Sequence, residues 1–203
     1  MRPAVLLAVV PLLIATPTLA QQGSSAISHS GKEFLDFAAH VNQSEIQGGL
    51  AAEKKADAPA VRAFARLMVL DHMELESLLA AVATENGIQL PNGPSEQAKQ
   101  EMATLQEMNG AKFDAAYMQH MVQGHEQAVQ RFKSEEGQAQ SRPVEAVVSA
   151  TLPIIEQHLA LAKDVLSEIN NQATIGSAQS PKASSPASTR SGQPSESGGP
   201  SRQ

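Results

Sequence analysis

The chain has 203 residues, a formal net charge of −6 at pH 7, no cysteine and no tryptophan. Setting aside Arg2, Lys182, Arg190 and Arg202 leaves eleven of fifteen bases in residues 21–170, and setting aside Glu196 leaves twenty of twenty-one acids, an excess of nine acids. That balance excludes a nucleic-acid surface, which must be basic, and the missing cysteine excludes both a disulfide scaffold and a thiol nucleophile.

At the start, Arg2, the apolar run Ala4 to Ala15 and the close Thr18-Leu19-Ala20 form a signal-peptide pattern over residues 1–20, with cleavage before Gln21. The run is too short for a bilayer span and is broken by Pro11. No later segment is apolar enough to cross a membrane, and no alternating pattern suggests a barrel. The expected product is exported across the inner membrane and soluble in the periplasm, with outer-membrane association left open. Residues 21–29 read as a flexible N-terminus that includes His29.

The first helix is expected from Ser30, where Ser30-Gly31-Lys32-Glu33 fits a capping box, to about Ala56. Phe34, Ala38, Val41, Ala52 and Ala56 form its apolar stripe, and Glu45 falls at the centre of that face. Gly48 and Gly49 mark a close helix contact or a bend. Asp57-Ala58-Pro59 reads as a tight turn with an acidic cap, which makes the first two helices an antiparallel hairpin. The second helix carries Val61, Phe64, Met68, Leu75, Leu79 and Val82 inward, interrupts that stripe with Asp71 and His72, and stops at Asn86-Gly87.

A short acidic amphipathic helix is expected over Pro94–Met108, with Ala98, Met102 and Leu105 covering the edge of the bundle. The third long helix, Ala111 to Glu136, carries Phe113, Tyr117, Met121, Ala128 and Phe132 on one stripe, with His125 inside the same band. The fourth starts at Ser141-Arg142-Pro143 and continues to about Asn170. Its stripe runs from Val144 to Ile169 and encloses His158, while Pro153 lies on the opposite face. Residues 171–203, rich in Ser, Pro, Gly and Gln, read as a disordered, solvated tail. The expected fold is therefore all-α: a four-helix bundle over residues 30–170 with a short extra helix in the crossover between helices two and three.

Glu45, His72, His125 and His158 each lie near the middle of helices of about 25 to 28 residues, so all four side chains sit near half height. One carboxylate and three imidazoles in an apolar interior fit a site for one transition metal, with zinc, copper or iron preferred over magnesium or calcium. Asp71 is the natural outer partner of a ligating imidazole, or an alternative ligand. The bland reading stands beside it: a buried polar network of Glu45 and histidines that fixes helix register without metal. His40 and His120 read as flank or surface residues, His120 with some prospect of joining the site, and Met68 and Met121 as core packing.

Glu45, Phe64-Ala65, Asp71-His72, Phe113-Asp114 with Tyr117 and His125, and Leu152-Pro153 with His158-Leu159 resemble the exported bacterial family called domain of unknown function 4142. The resemblance covers roughly residues 32 to 168. It implies a ferritin-like bundle and carries an outer-membrane label for which the chain offers no spanning segment. Di-iron ferritins use Glu-x-x-His on paired helices, and no histidine here has Glu three positions before it. Ferroxidase activity is accordingly not carried over.

Three functions follow. The first is a periplasmic ferritin-like protein binding a transition metal for buffering or stress tolerance. The second is a metal-free structural or interaction module with a partner in the cell envelope. The third is a bundle binding haem through two histidines, without covalent attachment because no Cys-x-x-Cys-His exists. The sequence leans away from an enzyme and assigns no catalytic residue.

Overall fold

The computed structural model describes residues 26–138 and 141–178. The expected signal peptide, and the tail beyond Ala178, lie outside the described residues. Five helices and no strand occur among them: α1 (His29–Lys55), α2 (Pro59–Asn86), α3 (Glu96–Gln106), α4 (Gly110–Glu136) and α5 (Arg142–Ala178).

The expected stripes are the buried faces of the long helices, because each repeats at the spacing of one helical side. Phe34, Phe64, Met68, Tyr117 and Val147 are each at most 2% exposed. Fully burying one large apolar side chain contributes roughly 1.5–3 kcal/mol. Val41 and Leu159 are only half-buried.

Helix ends show where local signals were overruled. The cap of α1 is Ser28, whose Oγ accepts from the Gly31 amide at 3.1 Å, so the helix begins at His29, ahead of Ser30. His29 is thus helical and exposed, 3.3 Å from Glu33, and not part of a loose N-terminus. The turn into α2 has no side-chain cap of its own. Its donors are met from another helix: the buried Asp114 carboxylate of α4 accepts from the amides of Asp57 (3.1 Å) and Ala58 (2.7 Å). Gly87 ends α2 in the left-handed conformation, φ 63°, where its missing Cβ removes the strain. α5 continues through Pro153 and past Asn170 to Ala178, because the polar residues after Ile169 have lost the apolar stripe but include no helix breaker before Gly176. Contrary to the expectation that no later segment is apolar enough to cross a membrane, its Arg142–Ile175 stretch is long and apolar enough by length and composition alone, as the core helix of a bundle also is.

α1 packs along α2, and α4 along α5. The two hairpins then meet chiefly through α2 and α5, while α1 and α4 touch only sparingly. Two apolar clusters fill the interior. One joins early α1 (Phe34, Ala38), late α2 (Leu79, Val82), late α4 (Ala128, Phe132) and early α5 (Val144, Val147). The other joins late α1 (Ala52), early α2 (Phe64, Met68), early α4 (Phe113, Tyr117) and late α5 (Ala162, Val165). α2 and α4 therefore run in the same direction, and α1 and α5 in the opposite one. Two parallel helices joined in sequence need a connection as long as the bundle. Residues 87–109 provide it, tied to α1 where His40 Nδ1 donates to the Gly93 carbonyl (2.8 Å) and where Lys55 Nζ donates to the Gln106 carbonyl. α3, capped by Ser95, rides on this path with no fully buried residue. Its Leu105 rests against the second cluster.

Candidate metal centre

A polar layer separates the two apolar clusters. His72 of α2, His125 of α4 and His158 of α5 meet there, each 2% exposed. Each offers one nitrogen, and the three nitrogens lie within 4.8 Å of one another. Ring centroids are 6.2 Å apart for His72–His125, 5.4 Å for His72–His158 and 5.5 Å for His125–His158.

The other nitrogen of each ring is held by a group that can only accept. His72 Nδ1 donates to Asn42 Oδ1 at 2.9 Å, and Asn42 Nδ2 donates in turn to Glu76 Oε2 at 2.7 Å, which fixes the amide with its oxygen toward the ring. His125 Nδ1 donates to the Met121 carbonyl at 2.9 Å, one turn earlier on α4. His158 Nε2 donates to Asp71 Oδ2 at 2.9 Å. With the proton fixed on that nitrogen, the second nitrogen of a neutral ring carries a lone pair. His72 Nε2, His125 Nε2 and His158 Nδ1 are all buried without a hydrogen-bond partner.

Burial favours the neutral form of His72 and His158. Burial, then the neighbouring His158 and His125, hold His72 well below the usual imidazole range. Burial also holds His158 down, against the opposing pull of its bond to Asp71. Three imidazoles, each anchored on its far side by an amide oxygen, a backbone carbonyl or a carboxylate, are the arrangement that orients metal-ligating histidines. Buried polar atoms normally find partners. Three lone pairs left unmet at one place form a triad that could hold a metal ion.

Of the residues singled out from sequence, the structure brings His72, His125 and His158 together and sets Asp71 behind His158. Glu45 is placed differently. Its Oε1 lies 4.0 Å from His125 Nδ1, on the side of the ring away from the lone pair, and its buried Oε2 has no partner. Glu45 lies outside the close nitrogen group. His40 is bonded to the crossover, and His120 Nδ1 lies 3.8 Å from Glu101 Oε2, so neither joins the triad. Met68 and Met121 pack in the second apolar cluster. Asn42 and Glu76 were missed. The available signal was the spacing of Asn42 and Glu45, three apart and therefore on one helical face.

No curated protein and no solved structure matches the chain. The family described as Domain of unknown function (DUF4142) matches residues 16–165, well over half of the 203, and the chain belongs to that family.

Proposed function

We propose that this chain is an exported, periplasmic protein that binds one transition metal ion through His72 Nε2, His125 Nε2 and His158 Nδ1, for metal buffering or stress tolerance. The observation that carries this is the set of three buried, unpartnered nitrogens converging from three helices. Neutral imidazoles suit zinc, copper or iron. Nitrogens around a tetrahedral zinc are about 3.4 Å apart, given bonds of 2.0–2.1 Å. The triad would therefore tighten modestly on loading. Glu45, beside His125, is the reserve carboxylate, and Asp71 the outer partner of His158. The common direction of α2 and α4 and their long crossover support a ferritin-like arrangement of the four long helices. The pattern of residues 1–20 supports export.

The test is elemental analysis of protein isolated from periplasm without chelators, beside the double variant His72→Ala/His158→Ala, with circular dichroism on both. About one ion per wild-type chain, lost in a variant that remains helical, is the expected result for a site with these ligands. Wild-type protein that is empty and takes up no zinc, copper or iron would leave the polar layer a structural network and the chain a metal-free envelope module.

A further inference from the structure

α1 and α4 touch sparingly, and α3 crosses the opening between them. The three helices line an open cavity of about 730 Å³ with both polar and apolar surface. Four carboxylates (Glu33, Asp36, Glu45, Glu101), two imidazoles (His40, His120) and one guanidinium (Arg131) face it. Asp36 is paired with Lys32, and Arg131 lies over the Phe34 ring at 6.0 Å. Glu45 differs from the other acids. Its side chain is 8% exposed, its Oε2 has no partner, and it touches the cavity and the outer edge of His125 at once. A buried carboxylate with an unmet oxygen is costly unless a cation or a proton neutralises it.

From this we infer that the cavity is the loading vestibule of the histidine triad, taking a hydrated divalent transition-metal ion and passing it to the triad by way of the Glu45 carboxylate. The inference rests on the metal-binding reading above. Imidazole and carboxylate together are the donor set for such an ion, and the vestibule offers them in order. His120 and Glu101 meet across the α3–α4 side, 3.8 Å apart, and Glu45 stands at the inner wall. Gly124 lines the same wall, and a Cβ there would sit 3.9 Å from Glu45 Oε1, so a larger side chain at this position narrows the passage.

The experiment is stopped-flow loading of chelator-stripped full-length protein with Co²⁺ alone, whose absorption reports nitrogen ligation. It compares wild type, Glu45→Gln, Glu101→Gln/His120→Ala and Gly124→Leu at low and high ionic strength. Glu45→Gln is expected to reach the wild-type stoichiometry and spectrum roughly tenfold more slowly at both ionic strengths, because a carboxylate 8% exposed is little screened by salt. The slowing in Glu101→Gln/His120→Ala, at the partly exposed mouth, is instead expected to close at high salt, as for electrostatically focused entry. Gly124→Leu, which keeps every ligand and charge, is expected to load slowly at both ionic strengths. Wild-type rates in all variants would overturn the vestibule while leaving the triad a metal site. Loss of Co²⁺ stoichiometry in Glu45→Gln would overturn it too, making Glu45 a ligand of the resident ion. A wild-type chain that never develops the Co²⁺ spectrum would remove the metal reading itself, and the vestibule with it.

Discussion

Asp71 shows how much of the centre depends on residues that do not face its middle. Its carboxylate is one-third exposed, yet it accepts a hydrogen bond from Nε2 of a histidine that is almost wholly buried. That bond fixes the tautomer that leaves His158 Nδ1 free. Asp71→Asn can still accept from the ring but loses the charge that strengthens the ligand. It should weaken metal affinity by roughly 10–100-fold with little change in helix content. Competition against a chromophoric chelator measures this, and unchanged affinity would show that Asp71 matters only to the surface. The three histidines were legible in the sequence because each breaks an apolar stripe at the same height. Asn42 was not, since a polar residue beside such a stripe looks like a solvated flank until its partners Glu76 and His72 are known.

For the helices, periodicity located every long element, and the errors fell at their ends. Ser30 offered a good local cap, but Ser28 is the residue whose hydroxyl meets the first turn. Asp57 read as the cap of α2, whereas the amides of that turn are met by Asp114, 57 positions away. No local pattern can reveal a cap supplied from another helix. The paired glycines of α1 separate cleanly once the neighbours are known. A Cβ at Gly49 would lie 2.8 Å from Val69 Cγ2 and 2.9 Å from the Ala65 carbonyl, whereas at Gly48 nothing lies within 4 Å. Gly49→Ala should therefore destabilise the fold by about 1–3 kcal/mol through overpacking of α1 on α2. Gly48→Ala should stabilise it by about 0.5–1 kcal/mol, since it only removes backbone freedom from a helix interior. Urea unfolding of the two variants, expected to move in opposite directions, decides the matter. Equal shifts would mean that α1 does not approach α2 at Gly49.

At the scale of the whole molecule, burial of the imidazoles makes stability depend on pH. An unfolded histidine takes up its proton near pH 6.5, and the folded His72 and His158 do so only at lower pH. The folded apoprotein thus binds fewer protons than the unfolded chain. The stabilisation is complete above the unfolded value and is lost as pH falls from there through the folded values. Melting temperatures of chelator-stripped protein should be flat above about pH 7 and decline from about pH 6.5 downward, less steeply in His72→Gln. A melting temperature that holds or rises on acidification would contradict neutral buried rings. The large cavity beside the centre was invisible in the sequence for a reason of the same scale. It depends on how far a crossover holds α1 from α4, and no helix carries that distance in its own pattern.

The distribution of the triad over the chain has a dynamic consequence. His72 belongs to the first hairpin, while His125 and His158 belong to the second, so an ion bound at their centre would be a stitch across the seam. Without it, each hairpin has its own short turn and half of each apolar cluster, and the seam can open as a sub-global unit at less than the full unfolding free energy. With it, opening requires the ligand bonds to break. Hydrogen exchange should report this directly: amides of α2 and α5 facing the seam should be protected to the global limit in the loaded protein, and should exchange earlier than those of the hairpin interiors after chelation. Exchange that is identical in both states would mean the two hairpins already open as one.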